Sequence, residues 1–205
     1  MAVDFKLYLI TDRKQTTLPL PEAVRLALEG GVKAIQLREK DLPVRDLLQL
    51  AREIRILTRD FGARLFVNDR VDVALAVEAD GVHLGHQSMP PAPVKKLAGS
   101  KLLVGVSSHT IEEAKAAETG GADFITFGPV FFTPSKAEFG TPVGLECLKI
   151  IRKSVRIPIF GLGGIKSGNI KQILGCGVNG ISMISAIFSA EDIRKAAEKV
   201  LRETM

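Results

Sequence analysis

The chain has 205 residues, of which 46% are hydrophobic and 25% charged, enough apolar content for a packed core. This balance excludes a disordered tail or a low-complexity linker protein. Twenty-eight basic residues against 23 acidic ones give a formal net charge of +5 without any Lys/Arg run, so no nucleic-acid partner is expected and an anionic small molecule drawn into a cleft is.

Short β-branched or apolar runs alternate with segments of helical period along the whole chain. Lys6–Thr11 reads as a strand and Pro21–Glu29 as the helix behind it; Ala34–Arg38 and Pro43–Asp60 form the next such pair. In that second helix Leu47, Leu48, Leu50, Ala51, Ile54 and Leu57 keep to one side, with Arg45, Arg52, Glu53 and Arg59 opposite, the pattern of a helix laid on a core. Arg64–Asn68 and Val71–Glu78 follow, then Gly81–Leu84 and Pro91–Leu97, then Leu102–Ser107 and Ile111–Thr119. Thr110 and Glu113 make a capping box at the start of that last helix. Phe124–Gly128 with Gly144–Ser154, Ile157–Gly161 with Gly168–Leu174, and Gly180–Ile184 with Ala190–Glu203 complete the series. Glycines at Gly30-Gly31, Gly120-Gly121 and Gly175–Gly177 supply helix stops.

Open doubly wound sheets more often carry roughly five or six strands. Eight strand–helix units without a Pro/Ser-rich linker therefore point to an α/β fold with one (β/α)8 TIM barrel spanning residues 1–205. The recurring Gly121-Ala122-Asp123 and Gly177-Val178-Asn179 before strands is a weak internal repeat that agrees with it.

In such a barrel the chemistry sits where strands run into helices. Those positions hold Asp12-Arg13, Arg38-Glu39-Lys40, Asn68-Asp69, His83 to Gln87, Ser107-Ser108-His109, Thr133 to Lys136, Gly161–Gly164 and Ser182 to Ala186. Gly161-Leu162-Gly163-Gly164 and the end of the eighth strand are placed to bind phosphate through backbone N–H groups. Arg38, Lys40 and the remote Lys136 suggest a pyrophosphate, because three cations converge at low cost only on a polyanion. Glu39 is the alternative local partner of the first two. Asp69 has two readings, a helix N-cap or a Mg²⁺ ligand working with phosphate oxygens. His83 reads as an inward-facing core residue. His109 is an acid–base candidate or a neighbour of the Thr110 cap.

Seven segments, Ile35-Gln-Leu-Arg-Glu-Lys-Asp41, Val67-Asn-Asp-Arg70, Ala79-Asp-Gly-Val-His-Leu-Gly85, Gly105-Val-Ser-Ser-His109, Gly128-Pro-Val-Phe-Phe-Thr-Pro-Ser-Lys136, Gly161-Leu-Gly-Gly-Ile165 and Ile184-Ser-Ala186, resemble those of the thiamine-phosphate synthase family in order and over essentially the whole chain. The resemblance implies a transferase that joins 4-amino-2-methyl-5-pyrimidinylmethyl diphosphate to a thiazole phosphate and releases pyrophosphate. It implies that Gln36, Leu37, Arg38, Glu39, Lys40 and Asn68 hold the pyrimidine diphosphate, that Ser107 and Lys136 contact pyrophosphate, and that Asp69 ligates Mg²⁺. It places the thiazole phosphate on Thr133, Pro134, Ser135, Gly164, Ile184 and Ser185.

One position departs from the pattern. The family's second Mg²⁺ ligand is an Asp, and here Ser88 stands in its place, a poorer ligand for a hard cation. Ser88 is a feature shared with the similar thiazole tautomerases, in which a His at the position of His109 moves a proton; a non-catalytic precursor-binding regulator is a third reading. Cys147 and Cys176 offer neither a disulfide framework nor metal spacing, in keeping with a reducing cytoplasm. The N-terminal MAVDFKLYLITDR turns charged too early for a signal peptide and no apolar stretch is of spanning length, so no membrane partner is expected.

Overall fold

Successive residues of a strand point to opposite faces, and here the two faces meet different surroundings. The computed structural model describes residues 3–133 and 142–205. Its strands are β1 Leu7–Ile10, β2 Ala34–Leu37, β3 Arg64–Asn68, β4 Gly81–Leu84, β5 Leu103–Ser108, β6 Phe124–Phe127, β7 Ile159–Leu162 and β8 Gly180–Met183. All pair in parallel in sequence order, and β8 returns to β1 through Leu7 opposite Ile181, closing a barrel. The helices are α1 Leu20–Glu29, α2 Val44–Asp60, α3 Val71–Ala76, α4 Pro91–Ala98, α5 Ile111–Thr119, α6 Gly144–Ser154, α7 Ile170–Leu174, α8 Ser185–Phe188 and α9 Ile193–Glu203.

Outward-facing Leu7, Leu9, Ile35, Leu37, Leu65 and Val67 join the buried stripes of the helices in one layer. Inward-facing Phe5, Tyr8, Ile10, Ala34, Phe66, Leu103, Phe124 and Phe160 fill the barrel. Phe124 is central to that filling, with ring centroids 5.4 Å from Tyr8 and from Phe66 and 5.6 Å from Phe160. Rings of this size fit only because smaller residues sit beside them: a Cβ on Gly81 would lie 2.4 Å from the Phe66 ring. Alternating large and small side chains is how a narrow barrel packs.

The base of the barrel explains the sequence repeat. Asp80, Asp123 and Asn179 each stand one residue before an even-numbered strand. Their side chains accept the N–H groups of Leu65 (2.9 Å), Val104 (2.6 Å) and Ile159 (3.1 Å) on the preceding odd-numbered strands. The backbone N–H of each returns a bond to the carbonyl of that same residue. Three strand pairs are thus tied at their N-terminal ends by a short polar side chain that satisfies a backbone donor. Arg55 and Lys95 neutralise the two aspartates.

Most boundaries match the sequence reading within two residues. Strand β2 stops at Leu37, not Arg38, because the Arg38 N–H donates to Thr11 Oγ1 (2.9 Å) instead of continuing the ladder. Strand β7 begins at Ile159 and runs one residue further than expected, to Leu162. In place of Ala190–Glu203 there are two helices, the four-residue α8 and then α9, which starts at Ile193 where the Asp192 side chain accepts the Lys195 N–H. Thr110 caps α5 as expected, accepting the Glu113 N–H (3.1 Å), while the Glu113 carboxylate reaches one residue further back, to the His109 N–H. Among the described residues, no helix is long and apolar enough to cross a membrane.

Candidate active site

The strand C-termini surround a cleft of about 560 Å³, lined at β2 by Leu37, Arg38, Glu39 and Lys40, at β3 by Asn68, Asp69 and Arg70, at β4 by Gly85 to Ser88, and at β5 by Ser107 and His109. Its charge pattern starts with Glu39. In extended chain this residue points away from its neighbours Arg38 and Lys40, and it does not pair with them. Its buried carboxylate accepts the Thr11 hydroxyl (2.7 Å) and pairs with Arg13 (3.0 Å), which also binds Asp41. Glu39 therefore anchors the β2 loop to the β1 loop, and its carboxylate is not available to a substrate. Both flanking cations are left without a carboxylate partner among the described residues, Arg38 half-buried and Lys40 exposed. Leu37 likewise contributes no side chain to the cleft chemistry, since it packs outward in the helix-facing layer.

Asp69 does not cap α3. The cap position is Arg70, and no side chain makes the capping bond. Asp69 itself is held at φ 64°, a left-handed conformation that Asp tolerates better than most residues, with its N–H donating to the His83 carbonyl (2.8 Å). Its exposed carboxylate has no hydrogen-bond or ion-pair partner among the described residues, because Arg70 turns to Asp72. Ser88 accepts the Gly85 N–H (2.7 Å) and closes the β4–α4 turn along the same cleft.

Below the cleft, alternation brings polar groups into the barrel. Gln36, His83 and Thr126 are all buried. Gln36 Nε2 donates to Tyr8 Oη (3.2 Å), Tyr8 Oη meets His83 Nδ1 (3.4 Å), and His83 Nε2 meets Ser107 Oγ (3.0 Å) on the cleft floor. Burial, and then the charge of Arg38, push the His83 pKa down to about 3, so its ring is neutral at physiological pH and is no general acid. Burial also raises the Tyr8 pKa, against the hydrogen bond it receives from Gln36.

His109 lines the cleft, with Nδ1 donating to the Gly128 carbonyl. Thr133, after β6, lies outside the cleft lining, and so do Gly164, Ile184 and Ser185 at the ends of β7 and β8. Gly164 is at φ 64°, and a Cβ there would lie 2.8 Å from the Phe132 carbonyl oxygen; that close approach admits only glycine. The β6 loop is laced to this turn by the Val130 and Phe131 N–H groups, which donate to the carbonyls of Leu162 and Gly163. Pro134, Ser135 and Lys136 lie outside the described residues. Of the residues expected to hold a diphosphate, the cleft brings together Arg38, Lys40, Asn68, Asp69, Ser88 and Ser107, with Gln36 buried away from its lining, while Thr133, Gly164, Ile184 and Ser185 fall outside that lining. Sequence reasoning missed Tyr8 and the anchoring role of Arg13 and Thr11. Strand parity was the signal for Tyr8, the chain's one tyrosine.

A profile of the family described as thiamine monophosphate synthase matches residues 7–187. A relative from Geobacter sulfurreducens is 56% identical over 200 residues, covering 97% of this chain and 94% of its own. The thiamine-phosphate synthase of Moorella thermoacetica is 50% identical over 187 residues, covering 91% and 89%. Among solved structures, a thiamine phosphate pyrophosphorylase from Pyrococcus furiosus superposes with a TM-score of 0.90 at 46% identity, over 97% of this chain and 95% of that one. A 3-hexulose-6-phosphate synthase, 20% identical with a TM-score of 0.70 over 97% of this chain and 99% of that one, shares the fold alone.

Proposed function

The chain belongs to the thiamine monophosphate synthase family, and from that premise we propose that it transfers the 4-amino-2-methyl-5-pyrimidinylmethyl group from its diphosphate to a thiazole phosphate, releasing pyrophosphate. The observation that carries this reading is the pair Arg38 and Lys40, which line the cleft with no carboxylate paired to them among the described residues because Arg13 takes Glu39. As the bond between the pyrimidinylmethyl carbon and the diphosphate oxygen breaks, its electron pair goes to the departing diphosphate. The thiazole nitrogen then attacks the carbon. What the protein must supply is positive charge and hydrogen-bond donors where negative charge collects, with water kept from the cation. Arg38 and Lys40 supply the charge, Ser107 a hydroxyl, and Asn68 a side-chain amide on the same rim. The resemblance adds Lys136 for the pyrophosphate, and Thr133, Pro134, Ser135, Gly164, Ile184 and Ser185 for the thiazole phosphate.

A magnesium ion is part of the proposal, and the residues fit one. Mg²⁺ takes one or two carboxylates and completes its shell with substrate phosphate oxygens and water. Asp69 offers a carboxylate with no protein partner among the described residues, and Ser88 a neutral oxygen on the facing loop. Such an ion would neutralise charge on the diphosphate. With one carboxylate in the set, most of its affinity comes from the diphosphate. Replacing Ser88 with Asp preserves an acceptor for the Gly85 N–H and adds a charge, so Ser88→Asp is expected to tighten Mn²⁺ binding to the free protein roughly tenfold by calorimetry. Unchanged affinity would contradict the placement of the metal between the β3 and β4 loops.

His109 supports a second reading, that of a thiazole tautomerase, because its ring is oriented by Gly128 within the same cleft. Incubation with the pyrimidine diphosphate, thiazole phosphate and Mg²⁺ separates the readings. Thiamine phosphate and pyrophosphate are expected. Isomerisation of a thiazole carboxylate phosphate without that product would replace the synthase with the tautomerase, and binding without either reaction would indicate a regulator.

A further inference from the structure

We propose that His83 is a positioning residue: through the buried chain Gln36–Tyr8–His83–Ser107 it fixes the Ser107 hydroxyl as a hydrogen-bond donor aimed at the departing diphosphate. This rests on the synthase reading of the cleft and adds to it the reason for a polar column inside a barrel filled mainly by apolar side chains.

The direction of the chain follows from what each group can donate. The Gln36 amide nitrogen has only protons to offer, and it donates to Tyr8 Oη at 3.2 Å. Tyr8 has one proton, and the remaining partner within reach is His83 Nδ1 at 3.4 Å. A ring that accepts at Nδ1 carries its proton on Nε2, which then donates to Ser107 Oγ at 3.0 Å. Thr126 Oγ1 lies 3.4 Å from His83 Nε2 and 3.5 Å from the same Ser107 oxygen, so it shares the Nε2 proton and gives its own to Ser107. With both lone pairs of Ser107 Oγ facing donors from below, its own proton is directed into the cleft. An anion can be bound there by a donor and not by a lone pair.

Burial keeps water out of the chain, and the orientation of the Gln36 amide sets its direction. Tyr8, Gln36 and His83 are 0%, 1% and 2% exposed, so water does not compete for any link except the last. Polar groups so placed forgo the packing that Leu or Phe would give, a local concession of stability typical of functional positions. If the Gln36 amide were turned over, every link would run the other way and Ser107 would present a lone pair to the diphosphate.

The test combines a spectroscopic signature with two variants. In protein labelled with ¹⁵N in the imidazole rings, the His83 proton is expected on Nε2; a proton on Nδ1 overturns the proposal without any variant. His83→Leu is expected to lower kcat about 10²-fold, the loss typical of one transition-state donor, with the KM for thiazole phosphate little changed. The same variant is expected to weaken binding of inorganic pyrophosphate measured with Mg²⁺. His83→Gln, whose amide nitrogen can reach the same oxygen, is expected to restore most of both. Wild-type protein that makes no thiamine phosphate, but whose pyrophosphate binding falls in His83→Leu and recovers in His83→Gln, would refute the synthase reading and support the relay. Product formation with unaltered kcat and pyrophosphate affinity in His83→Leu would refute the relay and leave the synthase standing.

Discussion

Replacing Arg38 with Ala is expected to lower kcat/KM for the pyrimidine diphosphate about 10²–10³-fold while leaving the thermal midpoint unchanged or slightly higher. Both halves of that result come from one fact. Glu39, the carboxylate next in sequence, is taken by Thr11 and Arg13, and the half-buried guanidinium of Arg38 has no carboxylate partner among the described residues. A cation whose charge is felt by the buried imidazole of His83, and which no carboxylate among the described residues holds, is placed to meet an anion. Its loss removes repulsion from the free protein and removes a charge-assisted hydrogen bond from the transition state. Lys40→Ala should cost less, because the exposed Lys40 ammonium is screened by salt. Steady-state kinetics and a thermal melt on the same preparations check it. A lower melting point with retained activity would mean that Arg38 is a structural ion-pair partner.

Phe124→Ala is expected to destabilise the protein by about 3–5 kcal/mol, the usual cost of deleting a large buried ring. For a chain of this size that corresponds to a fall in Tm of roughly 6–20 °C. The ring is fully buried and sits edge-on to Phe5, Tyr8, Phe66 and Phe160. Three of these aromatic neighbours are fixed on strands β1, β3 and β7 and the fourth, Phe5, just precedes β1, so they cannot collapse into the space and the cavity persists. Phe132→Ala is the internal control, because that ring is 70% exposed and its removal should stay within about 0.5 kcal/mol. Urea unfolding with an unchanged m-value would confirm that the difference lies in packing. Equal effects at the two positions would contradict the packed inner layer.

Much of the barrel was legible because its strands carry two independent signals. Runs such as Arg64–Asn68 and Gly81–Leu84 are bounded by turn residues and alternate with segments of helical period, and both were placed at their observed limits. The repeat before β6 and β8 was visible as Gly-x-Asp and Gly-x-Asn. What it does, tying an odd strand to the next even one, becomes visible only when Asp123 and Asn179 meet Val104 and Ile159. Helix α8 escaped because four residues are too few to show a helical period.

In the candidate site, residues at strand tips were found because a barrel concentrates its chemistry there. Partnerships were harder. Glu39 beside Arg38 and Lys40 suggests a local ion pair, yet its partner Arg13 lies 26 residues earlier, just beyond the end of β1, which the pairing of β1 with β2 brings alongside. Asp69 had two readings of equal standing, and the left-handed turn at φ 64° moved it off the helix axis and into the cleft. Tyr8, Gln36 and His83 share the inner face by alternation, but the Tyr8–His83 link crosses the barrel interior between β1 and β4, strands that do not pair.

The most direct measurement is a calorimetric titration of the protein with inorganic pyrophosphate and with inorganic phosphate, each in the presence of Mg²⁺, repeated on Arg38→Ala. A diphosphate cleft predicts that pyrophosphate binds at least about tenfold tighter than phosphate and that Arg38→Ala abolishes the preference. Equal affinity for the two anions, or a preference that survives the loss of Arg38, would contradict it.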